Sequence, residues 1–192
     1  MQQAPSPLAQ FQRTWRGLWL FARGRDEQAL AHFSDDRSAL SESILAALTA
    51  LIVSGLLMIL ADPENISGLV DPFPVYVRDS LLAWAIWLLV AWLLAQLFGV
   101  GERFRLYVVT LNWTSAWLSL FTNPMSVLFM RLNDIVGAVA ILFMLIFITL
   151  VMVRQTRASL HISTGRAIAL NLAAFLATMI ALVLIDPSIL AE

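Results

Sequence analysis

Five stretches of this chain carry no charged side chain and are almost wholly apolar: about Ile44–Ala61, Leu81–Val100, Leu106–Phe121, Ile135–Val153 and Ala167–Ile185. A helix crosses the hydrocarbon of a bilayer with about 20 mostly apolar residues, and each stretch meets or nearly meets that length. With no water to bond, backbone groups in hydrocarbon must satisfy one another, which a helix does within itself. The expected fold is therefore an all-α membrane protein, five transmembrane helices in one bundle. Composition agrees, because 60% of the residues are hydrophobic and 13% charged. An ordinary soluble domain has about 25% charged residues, so this chain lacks the polar groups to cover a soluble surface. Soluble enzymes and disordered regulators are thereby set aside. A net charge of −1 offers no field to draw in nucleic acid.

The third stretch is the shortest. Asn123–Pro124 ends or kinks it, and Ser126–Met130 either extends it past the kink or dips back into the interface.

Missing residue types narrow the chemistry. The chain has no Cys and no Lys, and its two histidines, His32 and His161, lie outside the apolar runs. Disulfides, thiolate chemistry, Lys Schiff bases and an intramembrane bis-His haem are excluded. No acid or base falls in the middle of a run, whereas proton-coupled carriers, pumps and voltage sensors usually keep one there. Neither the zinc-protease pattern HExxH nor the serine-hydrolase pattern GxSxG occurs. Asp35, Asp36, Glu42 and Glu102 could be imagined as metal ligands, but acids at a helix start are more simply caps. The expectation is no enzyme, no cofactor and no metal.

Arginine sets the orientation. Ten of the twelve lie before run one or in the loops joining runs two to three and four to five, leaving only Arg78 and Arg131 for the other side. By the positive-inside rule the N-terminus is cytoplasmic and, after five spans, the C-terminus is outside. The outer loop Asp62–Ser80 is acidic and rich in Pro. The first forty residues have no clean hydrophobic core for a signal peptide. This gives a cytoplasmic segment 1–43, a membrane domain 44–185 and a short outer tail 186–192. The setting expected is a bacterial inner membrane, with the C-terminus periplasmic. A glycosylation sequon, Asn65–Ile66–Ser67, hugs the end of run one and says little about a secretory pathway.

Residues 8–23 read as an amphipathic interfacial helix. Leu8, Phe11, Trp15, Leu18, Trp19 and Ala22 share one face of a helical wheel, and Arg13, Arg16, Gly17 and Arg23 share the opposite one. Its partner would be anionic lipid at the cytoplasmic face, as a membrane sensor, a docking helix or a simple anchor. A second short helix is expected over Asp26–Phe33, and the Ser34–Asp35–Asp36 cluster is placed to cap the helix that follows.

Polar residues enter the runs at one shared depth. Thr49, Gln96, Asn112, Thr149 and Asn171 each fall about 6–10 Å below the cytoplasmic face, at 1.5 Å per residue. On run three, Asn112, Ser115, Ala116, Ser119 and Thr122 share a face. Such a layer is either interhelical glue or a small hydrophilic vestibule. If it is glue, Asn112 and Asn171 are expected to meet across runs three and five. Small-residue rows at Ala46, Ala50 and Ser54, and at Ala169, Ala173, Ala177 and Ala181, predict close packing of runs one and five, within a chain or across a dimer.

This topology resembles the Yip1 family of small five-span membrane proteins. The shared features are the cytoplasmic N-terminal segment, five closely spaced helices over Ile44–Ile185 and an almost absent outer tail. The run Tyr107–Val108–Val109–Thr110–Leu111–Asn112–Trp113 is similar to a polar aromatic stretch of bacterial members. The resemblance implies a trafficking-type or assembly role, and residues for binding a small GTPase have no counterpart here. The function expected is a non-enzymatic scaffold or assembly partner that binds another protein or a second copy. The alternative is a small permease with Asn112, Ser115, Ser119 and Asn171 along a path for a neutral or anionic solute.

Overall fold

The computed structural model describes residues 7–61, 73–132 and 134–185, and every regular element among them is helical. Most of the outer loop with its sequon, and the tail 186–192, lie outside the described residues. In order the helices are α1 (Pro7–Ala22), α2 (Asp26–Leu30), α3 (Arg37–Ala61), α4 (Phe73–Leu97), α5 (Phe104–Met130), α6 (Asp134–Leu160) and α7 (Thr164–Ile185). A 3-10 turn, Gly101–Arg103, leads into α5.

Four of these, α3, α4, α6 and α7, are long and apolar enough to cross a membrane. The protein is a multi-pass membrane protein. Large apolar side chains stand exposed on all four, among them Leu45, Leu89, Phe143 and Leu172. In water such faces would be strongly unfavourable, whereas lipid accepts them without cost.

α5 is different. It is long, but Thr110, Asn112, Thr114, Ser115 and Ser119 dilute its apolar character, and it occupies the centre. Every residue from Tyr107 to Leu118 except Ser115 is buried. It packs most extensively on α3 and next on α6, while α4 pairs with α7. Enclosed over this stretch, α5 can carry polar groups such as Asn112 and Thr110, which side chains of neighbouring helices bond. Ser126–Met130 continues the helix. Pro124 lies inside it and removes one backbone donor without ending it.

Local chemistry explains the boundaries. Asp36 caps α3, its Oδ1 accepting from the Ala39 N–H at 2.6 Å and from the Ser38 hydroxyl at 2.7 Å. These hydrogen bonds, with one from Ser34, lower the carboxyl pKa to about 2. α1 and α4 end on Gly24 and Gly99, both at positive φ. At each, the next residue's N–H reaches back to the helix, Arg25 to Leu20 O and Val100 to Ala95 O at 2.9 Å, which closes a Schellman turn. His161 takes the same position after α6, at φ 53° without a glycine's freedom.

The small-residue rows pack differently from the expectation. α3 and α7 are not close neighbours within the chain: α3 lies on α5, and α7 lies on α4 and α6. Ala50 and Ser54 are buried as expected of a contact row. On α7 the buried row is Ala167, Leu170, Ala174 and Thr178, and Ala169 is exposed. The buried face of α7 meets α4, where Ala167 and Leu170 share one core cluster with the small buried residues Ala91 and Ala95.

Candidate functional site

Two features gather the polar and aromatic residues. The first is the pair α1–α2, docked along α5 as far as Trp117 and Phe121 and on the arginine-bearing end of α6. The row of α1 facing the bundle is Thr14, Gly17, Leu18 and Phe21. Leu18 thus leaves the aromatic face where the wheel placed it, and Gly17 leaves the arginine face. The reason is Phe33, which folds back from the end of α2. A side-chain carbon at Gly17 would lie 2.5 Å from Phe33 Cε2, so only glycine admits the ring.

Polar contacts hold this pair in place. The Arg154 guanidinium donates to the carbonyls of Phe21 at 3.2 Å and Ala22 at 2.9 Å. Both oxygens lie at the negative end of α1, where a cation is favoured; Phe21 O also accepts from the Gly24 N–H at 3.0 Å. Arg157 pairs with Asp26, whose side chain is 8% exposed. Trp117 Nε1 donates to the Thr14 hydroxyl at 3.2 Å, and Arg13 Nε to the His32 carbonyl at 2.8 Å. Burial, then the charges of Arg13 and Arg16, lower the His32 pKa and favour the neutral ring.

Phe11, Arg13, Trp15, Arg16 and Trp19 remain exposed on α1, as does Arg23 just past its end. They are supported from behind. Phe11 lies 3.9 Å from Trp117 between ring centroids, and Trp15 lies 4.8 Å from it. The Arg23 guanidinium sits 4.8 Å over the Trp19 ring. The outward surface therefore combines aromatic rings with arginines on a fixed frame.

The second feature is the interior polar system. Asn112 is fully buried and satisfied at both ends of its amide: Trp84 Nε1 donates to Oδ1 at 3.0 Å, and Nδ2 donates to the Ser43 hydroxyl at 3.1 Å. That one side chain ties α3, α4 and α5 together. Asn171 belongs elsewhere. Its Nδ2 donates to the Thr156 hydroxyl at 3.0 Å and to its own helix at Ala167 O. The expected contact between Asn112 and Asn171 is therefore not made, because each amide has a nearer partner on another helix.

Thr156 extends to a buried cluster built on Gln155, which donates to the Thr110 hydroxyl at 2.6 Å. Trp87 Nε1 donates to the buried Tyr107 hydroxyl at 2.9 Å. A third cluster lies at the opposite end of the bundle, where Asn123 Nδ2 donates to the hydroxyls of Tyr76 at 2.9 Å and Ser54 at 3.2 Å.

Of the layer read from the sequence, Ser115 and Ser119 line one cleft and Asn112 sits beside its arginine-bearing end. Thr49 and Gln96 are exposed, and Thr149 is exposed and bonded back to Leu145 O. Gln155, Thr156 and Ser159 were missed because they follow Arg154 and so looked like loop. Asn123 was missed because Pro124 beside it looked like a helix end.

The cleft has a volume of about 420 Å³ and lies between α3 and α4, floored by α5. A second groove of about 510 Å³ runs between α1, α3 and α5, with Thr49 in its wall and Glu42 hydrogen-bonded to Gln10 in its lining. Among the described residues no group of three or more His, Asp or Glu side chains could hold a metal ion. No protein-family model matches the chain, and neither a curated protein nor a solved structure shows significant similarity to it.

Proposed function

We propose that this protein is a non-enzymatic scaffold of a bacterial cytoplasmic membrane, with α5 as a fifth span, the N-terminus cytoplasmic and the C-terminus periplasmic. The observation that carries the reading is the docked α1–α2 pair. Arg154, Arg157 and Trp117 fix it to the bundle, yet Trp19, Arg16 and Arg23 still face outward, and Phe11 and Trp15 stay partly exposed where they pack on Trp117. A simple anchor has no need of a clamp from the membrane domain. A platform that meets a partner does, since a rigid surface loses less entropy on binding.

In this reading α1 is an interfacial helix at the anionic leaflet, where each arginine contributes about 1 kcal/mol. Its partner is another protein or a second copy. The arginine distribution supports the topology. The 420 Å³ cleft favours a second reading, a small permease using Ser115 and Ser119. Against it, Asn112 is tied across three helices, and Asn171 is bonded into a different cluster.

Two measurements test the scaffold. A periplasm-active reporter fused after Glu192 should work and a cytoplasm-active one should be silent; the reverse removes the five-span reading. A photo-crosslinking residue at Trp19 in living cells should form one discrete protein adduct, weakened severalfold by Arg154→Ala. Adducts with lipid alone would remove the platform, and uptake activity in proteoliposomes would favour the permease.

A further inference from the structure

The cleft between α3 and α4 has a consistent internal order. On α4, Tyr76, Ser80 and Trp84 recur every fourth residue, and on α5 so do Ser115, Ser119 and Asn123. All six line the cleft. Residues four apart share a helix face, so a polar row on the α4 wall runs alongside one on the α5 floor. The ends are tied. Asn123 bonds Tyr76 at one end, and Trp84 bonds Asn112 at the other.

Between these ties the remaining lining is apolar, and none of the lining residues is charged. From Leu111 to Asn123 the floor is roughly 18 Å long at 1.5 Å per residue. That is close to one leaflet of a hydrocarbon core about 30 Å thick. The cleft's walls include Leu48 on α3 and Leu81 on α4, which are themselves exposed. Thr178 of α7 contributes an independent observation. It lines the cleft, is 8% exposed, and its hydroxyl has no hydrogen-bond partner. An unbonded hydroxyl in an apolar wall is unfavourable, and a ligand oxygen there would relieve it.

We propose that this cleft binds an uncharged lipid of the acylglycerol class. The acyl chain lies along the apolar walls, and the glycerol hydroxyl and ester carbonyl meet the hydroxyls of Ser80, Ser115, Ser119 and Thr178. Hydroxyl groups suit this ligand because each can donate to a carbonyl or accept from a hydroxyl. A phosphate headgroup is disfavoured, since it would enter without a counter-charge. The site is separate from the platform on α1, so either reading can fail alone.

The test uses the whole protein in phosphatidylcholine nanodiscs with a photoactivatable diacylglycerol as probe. Labelling should map to peptides of α3, α4 and α5 that line the cleft. Excess dioleoylglycerol should compete it, and an equal excess of dioleoyl phosphatidylglycerol should not. Ser119→Leu combined with Thr178→Val should cut the competed labelling about fivefold, as expected for losing one or two net hydrogen bonds. Equal competition by the phospholipid would show that bulk lipid fills the cleft and would overturn the proposal. So would labelling outside the cleft, or undiminished labelling of a folded double variant. The competition on the unaltered protein decides the matter even if that variant fails to fold.

Discussion

Asn112→Leu should destabilise the bundle by about 2–3 kcal/mol in detergent or nanodisc unfolding. The two side chains share the same branched four-atom skeleton, so most of the cost is polar. Asn112 is fully buried and joins Trp84 of α4 to Ser43 of α3. Each interhelical hydrogen bond contributes about 0.6–2 kcal/mol in a membrane protein. Removing the amide also strands the Trp84 N–H. The Ser43 hydroxyl keeps its bond to Leu40 O, which limits the loss on that side. Asn171→Leu should be additive with it, because the two asparagines belong to different clusters. A double variant much more stable than the sum of the two changes would show that they couple after all.

Gly137→Val should cost about 3 kcal/mol or more, through overpacking against a backbone that cannot swing away. A carbon added at Gly137 would lie 2.5 Å from the Phe129 carbonyl oxygen. This is where α6 begins beside the end of α5, so relief requires moving one helix against the other. Gly165 is the control. It starts α7 with nothing within 4 Å of an added carbon, and Gly165→Ala should change the unfolding temperature little. Equal tolerance of both changes would contradict the packing described at the α5–α6 turn.

The sequence carries some of this architecture openly. Apolar runs mark α3, α4, α6 and α7 because transfer to lipid depends on composition over a whole turn-by-turn length, which a single sequence records. Asp36 announced the start of α3 because capping is local chemistry. Lateral order is another matter. Alanine rows every fourth residue state that a helix can be approached closely, without naming the neighbour. Thus α7 buries Ala167, Leu170, Ala174 and Thr178 and leaves Ala169 exposed.

Polar partners are equally silent. Asn112 and Asn171 fall at similar distances from the arginine-bearing end, but depth does not say which helices adjoin. Pro124 illustrates a third gap. In water a proline often ends a helix, whereas here the helix runs on to Met130. The docking of α1 was legible only in outline. The sequence sets Gly17 on the arginine face of that helix and records nothing of Phe33, which packs against Gly17 from the end of α2.

Hydrogen–deuterium exchange in nanodiscs tests the central claim, that α1–α2 is a fixed part of the bundle. In the unaltered protein, α1 amides should be strongly protected. Asp26→Asn combined with Arg154→Ala removes the pair with Arg157 and the clamp on the Phe21 and Ala22 carbonyls. Exchange in α1 should then rise at least tenfold, as for a loss of about 1.4 kcal/mol or more, while α3 to α7 stay unchanged. Protection of α1 that is weak from the start, or unmoved by the double change, would show that lipid alone positions the helix and would contradict the platform.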